Sequence, residues 1–153
     1  MQEENIGRPT RQPSDLLQAL LAHTPSLAIL NPDSLLLNED GSVEIGLVVQ
    51  HQHTNIHKIV HGGVLVTLLD TAMGYACHIL SNTSIVTMNL TTSFIANCKV
   101  GARISAIGEV IHAGRRVIVA EGKALDEEGT LLATAQGTFF VVGEAFDSLQ
   151  KSD

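Results

Sequence analysis

A single carboxylate inside an otherwise apolar run constrains this chain more than any other feature. From Gly62 to Leu80 the sequence has nearly the length of a membrane span, yet Asp70 stands near its middle, with His61 and His78 close to its ends. A lone span followed by a long strand-forming stretch makes little physical sense, so the run is expected to be a buried helix. Leu65, Leu68, Leu69, Ala72, Ala76, Ile79 and Leu80 mark its main apolar stripe at helical spacing. Val64, Val66, Met73 and Cys77 carry apolar character around most of the circumference. Such a helix must be wrapped by other structure.

The remaining sequence supplies the wrapping. Val86, Met88, Leu90 and Phe94 alternate with Thr87, Asn89, Thr91 and Ser93, and strand-like segments follow at 102–111, 116–125 and 131–142. Gly101, Ala113-Gly114 and Asp126-Glu127-Glu128-Gly129 punctuate them as turns. These are expected to be four antiparallel strands in a meander. Upstream, Ser14-Asp15 caps a short helix bearing Leu16, Leu17, Leu20 and Leu21. Leu35-Leu36-Leu37, a turn at 38–41, and Val43, Ile45, Leu47 and Val49 on one face then read as a hairpin. Residues 51–61 carry no clear period and read as a loop. The organisation expected is a polar segment with a short helix over 1–33, one domain over 34–142 and a tail over 143–153. The fold class is α+β, with an antiparallel sheet curled around the long helix. One copy would leave sheet edge and helix surface uncovered, which favours association of chains.

Charge and composition remove several classes of function. Nine Lys and Arg against sixteen Asp and Glu give a formal charge of −7, which repels a phosphate backbone, and 3% aromatic residues leave few stacking platforms. Nucleic acid is therefore not an expected partner, and neither is a membrane. Cys77 and Cys98 cannot build a disulfide scaffold, and the polar, acidic start Met1-Gln2-Glu3-Glu4-Asn5 is not that of an export signal. A reducing, cytoplasmic setting is the expectation.

Asp70 is the only carboxylate between Glu44 and Glu109, and it is flanked by Leu68, Leu69, Ala72 and Met73. It lies on one wet stripe of the helix, or is satisfied by a nearby hydroxyl such as Thr67 or Thr71, or serves as a base or nucleophile in a dry cleft. His61-Gly62-Gly63 immediately precedes the helix, where unpaired amides suit an anion or an oxyanion; the glycines also suit a tight entry into a closely packed helix. Asn55 alone is a turn-type residue. His51, His53, His57 and His61 lack a carboxylate or cysteine nearby in sequence and match no metal-ligand spacing, so no metal is expected. Cys77 reads as a small buried hydrophobe.

Taken together, Asn55-x5-His61-Gly62-Gly63-x6-Asp70-Thr71-Ala72 resembles the signature of PaaI-like acyl-CoA thioesterases, which have the hotdog fold. The resemblance continues through Thr91-Thr92-Ser93-Phe94, Gly101, His112-Ala113-Gly114-Arg115 and Ala133-Thr134-Ala135-Gln136-Gly137-Thr138, covering roughly 40–142. It implies homodimers, often paired into tetramers, in which the histidine-glycine turn and the asparagine reach the aspartate from the facing subunit. Carried over, Asp70 activates water or attacks the thioester carbonyl, and Gly62, with help from Gly63, donates backbone N–H groups to the thioester oxygen. Asn55 positions water or carbonyl, and His61 orders the turn or bonds the carbonyl. Relatives often place a serine or threonine on the strand after the helix; Ile85 falls at that position here, with Ser84 and Thr87 as the neighbouring hydroxyls. Arg115 and Arg116 either pair with coenzyme A phosphates or solvate a hairpin. No cofactor is implied, since coenzyme A is part of the acyl-CoA substrate.

Two other functions share this fold. A non-catalytic acyl-thioester or ligand-binding module keeps the cleft without needing Asp70. A hydratase needs an acid–base pair at Asp-x4-His spacing, and Tyr75 occupies that position here.

Overall fold

The computed structural model describes residues 13–143, and the expectations for 1–12 and 144–153 lie outside them. Helix α1 spans Pro13–His23 and α2 Pro25–Ala28. Because α1 begins at Pro13, Ser14 and Asp15 lie in its first turn rather than ahead of it, where Asp15 complements the helix dipole. Leu17, Leu20 and Leu27 join the main core.

Strands β1 (Ser34–Leu37) and β2 (Val43–Val48) form the expected hairpin. Gly41 adopts the left-handed conformation that closes its turn (φ 86°). A single turn of 3-10 helix, His51–His53, interrupts the loop leading to α3, Gly62–Ser81. Strands β3 (Ile85–Phe94), β4 (Arg103–Ala113), β5 (Val117–Asp126) and β6 (Leu131–Val141) complete one six-stranded antiparallel sheet in the order β1-β2-β4-β5-β6-β3.

The helix is the axis of the core. Leu68, Leu69, Ala72 and Met73 are fully buried, and each large aliphatic side chain among them contributes roughly 1.5–3 kcal/mol by leaving water. The sheet approaches closely because its concave face is built from small residues, with Ala106, Gly108, Ala120, Ala124, Ala135 and Gly137 all buried. A methyl group at Gly108 would collide with the backbone of Ala72 and Met73, so a glycine there is what allows the helix to lie in the sheet. By length and composition α3 could cross a bilayer, but here it is the core of the domain.

The expected four-strand meander needs correction. Only β4-β5-β6 is a meander; β3 pairs with β6 at the far edge, and β4 pairs with β2. After β3 the chain does not turn back, because the amides of Ile95 and Ala96 donate to the Leu132 carbonyl. The connection then runs beside the loop before α3, where the Val60 amide donates to the Cys98 carbonyl and Ile59 bridges Lys99.

The simple alternation along β3 is also broken. The register shifts between Thr87 and Asn89, so a bulge at Met88 changes the parity of the strand. Ile85 packs near Gly74 of α3, and Phe94 packs over Gly62, while Val86 and Met88 stand exposed. Val86, Met88, Leu90 and Phe94 therefore do not share one face. The bulge turns the Thr87 hydroxyl toward the helix.

Candidate active site

Asp70 lies on a narrow polar stripe of α3 that also carries Gly63, Thr67, Thr71, Gly74, His78 and Ser81, none of them fully buried. Thr67 and Thr71 are not its partners. Each hydroxyl donates back along the helix, Thr67 to the Gly63 carbonyl (2.9 Å) and Thr71 to the Thr67 carbonyl (2.8 Å). The partner is Thr87 on β3, whose Oγ1 donates to Asp70 Oδ1 at 2.8 Å. Of the two hydroxyls near Ile85, the fold thus brings Thr87 to the carboxylate, whereas Ser84 Oγ is buried without a partner among the described residues. One carboxylate oxygen is oriented, and Oδ2 has no protein partner among the described residues. Among the described residues Asp70 is partly exposed, so a dry cleft around it requires further cover.

The start of α3 is organised by its cap. His61 is extended (φ −70°, ψ 135°), and its Nδ1 accepts the Gly63 N–H at 2.8 Å. In the tautomer this requires, the ring proton sits on Nε2. Gly63 is therefore committed to the cap, and the amide left without an acceptor among the described residues is that of Gly62. Phe94 stands over Gly62 so closely that a Cβ there would lie 3.0 Å from Cζ.

Asn55 has its Oδ1 engaged in the turn: it accepts from the His57 amide at 2.9 Å and the Ile59 amide at 3.4 Å. The turn role and an outward role are compatible, because Nδ2 remains as a donor without a partner among the described residues. Lys58 closes this turn at φ 59°, a left-handed conformation that is costly for a side chain with a Cβ. Lys58→Gly is expected to raise stability by about 0.5–1 kcal/mol in urea unfolding. An unchanged or lower midpoint would show that the strain is relieved elsewhere.

The candidate oxyanion donor and the carboxylate do not converge within one chain. Gly62 and Asp70 are separated by eight residues of one helix, about 12 Å of rise, so they cannot both contact one substrate carbonyl. Arg115 and Arg116 are exposed at the β4–β5 turn and make no ion pair among the described residues. The Arg116 carbonyl accepts from Val141, which pairs with Ile85 at the start of β3. Arg116 is thus two strand spacings, about 10 Å, from the strand that carries Thr87.

The other candidates have structural uses. His53 is buried with both ring nitrogens occupied, and no group of three potential metal ligands occurs among the described residues. Burial pushes the Cys77 thiol up to about 12. Burial, followed by the nearby Asp126 and Glu127 carboxylates, pushes Cys98 up to about 11. Both thiols are protonated at neutral pH and poor nucleophiles. A disulfide reagent should modify neither in the native protein and both after unfolding; rapid native labelling at pH 7.5 would contradict this.

The profile of the thioesterase superfamily matches residues 57–133, and the chain belongs to that family. The acyl-coenzyme A thioesterase PaaI of Escherichia coli is 27% identical over 105 residues, 69% of this chain and 74% of that protein. The structure of the same E. coli protein superposes with a TM-score of 0.77 at 24% identity, covering 84% of this chain and 92% of that one. A hypothetical thioesterase protein from Streptococcus pneumoniae, solved with coenzyme A, gives a TM-score of 0.69 at 27% identity, over 75% and 91% of the two chains. The fold is the hotdog fold expected from the motif.

Proposed function

We propose that this protein hydrolyses acyl-CoA thioesters, with Asp70 as the base that activates water. The observation that carries the reading is the Thr87–Asp70 hydrogen bond, which orients one carboxylate oxygen and leaves the other for water. Water attacks the thioester carbonyl as Asp70 takes its proton. The developing oxyanion is met by the Gly62 amide, with the Asn55 Nδ2 amide positioning carbonyl or water and His61 holding the turn. Collapse breaks the carbon–sulfur bond, and the departing thiolate takes up the proton, giving free acid and coenzyme A. Arg115 and Arg116 are assigned to the phosphates of coenzyme A, with Arg116 two strand spacings from the strand that carries Thr87.

The site is completed by a second copy of the chain. The free edge of β3 carries no charged residue from Ile85 to Phe94 and exposes Val86 and Met88, the kind of edge that pairs with another strand. Antiparallel pairing of two such edges across a twofold axis brings the Gly62 and Asn55 of one protomer toward the Asp70 of the other. It also covers the polar stripe of α3. Further pairing of dimers into tetramers is compatible with this arrangement.

Thiol release from a panel of aryl-acetyl, benzoyl and medium-chain acyl-CoA substrates, with carrier-protein thioesters beside them, tests the reading. Hydrolysis of at least one acyl-CoA is expected. Tight binding of these thioesters with no release above the buffer rate would instead identify a non-catalytic binding module.

A further inference from the structure

His53 is the one histidine of the 51–61 segment that the core encloses, being 1% exposed. Its Nδ1 accepts the Gln50 N–H at 3.0 Å, and its Nε2 lies 2.8 Å from the Leu30 carbonyl. Only the neutral ring with its proton on Nε2 satisfies both. Its own carbonyl accepts the N–H of His61 at 2.8 Å, so its backbone sits under the cap residue of α3. One residue thereby ties three pieces together: its ring bonds the chain just after α2 and, through Gln50, the end of β2, and its backbone carbonyl bonds the turn that presents Gly62. Asn55 lies two residues further along the same backbone.

We propose that His53 is a positioning residue, which fixes the 54–62 segment so that the Gly62 and Asn55 amides stand at set places. The inference rests on the reading of those amides as groups that act on the thioester. Among the described residues no other side-chain hydrogen bond ties the segment to the core at this point: Asn55 bonds only its own turn, and Thr54 Oγ1 bonds the His51 carbonyl. The remaining ties, Val60 to Cys98 and Ile59 to Lys99, hold the far side of the loop. The seating of α2, anchored by the fully buried Leu27, thus reaches the candidate oxyanion donor through the ring and backbone carbonyl of one histidine.

The test uses two variants of the full chain. His53→Phe keeps a planar ring of similar size and deletes both ring hydrogen bonds, whereas His53→Gln offers an amide nitrogen to the Leu30 carbonyl. The first readout is amide hydrogen exchange, which needs no substrate. In His53→Phe, residues 50–62 are expected to exchange at least about tenfold faster, while the buried turns of α3 from Leu65 onward keep their protection; His53→Gln recovers much of the loss. The second readout is kinetic. In His53→Phe kcat should fall about tenfold or more with KM within about threefold, because misplacing a group costs the transition state more than binding.

On an Asn55→Ala background the same change should cost less than about threefold, since part of what it positions is already gone. A merely structural role would reduce the folded fraction and act equally on both backgrounds. Unchanged exchange in residues 50–62 of His53→Phe, or equal losses of kcat on the two backgrounds, would overturn the proposal. A wild-type protein that hydrolyses no thioester would instead overturn the functional reading, and the exchange result would still decide whether His53 anchors the loop.

Discussion

Asp70→Asn is expected to lower the rate of thioester hydrolysis by at least about a hundredfold while leaving the fold intact, because a positioned base commonly contributes that much or more. The substitution is close to isosteric. The Thr87 hydroxyl can still donate to the amide oxygen, so the packing between α3 and β3 at this point is kept. What disappears is the lone pair on Oδ2 that is proposed to take the proton from water. KM should change little, since the carboxylate meets the reacting water more than the body of the substrate. A well-folded Asp70→Asn protein with near-wild-type kcat would remove Asp70 from the chemistry.

Much of this was legible in the sequence because it depended on local pattern. An apolar stripe at helical spacing with one embedded carboxylate pointed to a wrapped helix, and the alternating, glycine-marked segments after it pointed to strands. The place of β3 was not legible. Its alternation fits a neighbour on either side, and pairing with β6 is set by hydrogen bonds of residues 95–99 to Leu132 and Val60, which are distant in sequence. The bulge at Met88 was hidden for a related reason: an extra residue changes which face each side chain takes without altering the composition of the strand.

The site divides in the same way. Asp70 stood out as a lone charge, and Asn55 and His61-Gly62-Gly63 stood out through their spacing. Which donors remain free was not legible, because the turns use some of the same atoms. Asn55 Oδ1 and the Gly63 amide are consumed locally, leaving Nδ2 and the Gly62 amide. His53 was one of four clustered histidines until its burial and its two ring contacts set it apart.

The composite site is the central claim, and mixing two inactive variants tests it most directly. Asp70→Asn lacks the base in every site of its homodimer. Asn55→Ala lacks the positioning amide and should fall roughly tenfold to a few hundredfold. When subunits exchange at random, about half of the dimers carry one chain of each kind, and in each of these one site pairs a wild-type Asp70 with a wild-type Asn55 across the interface. Activity should rise toward roughly a quarter of wild type after the residual rate of the Asn55→Ala parent is subtracted. Subunit exchange demonstrated by mass, with no rise above the sum of the two parents, would contradict a site shared between chains.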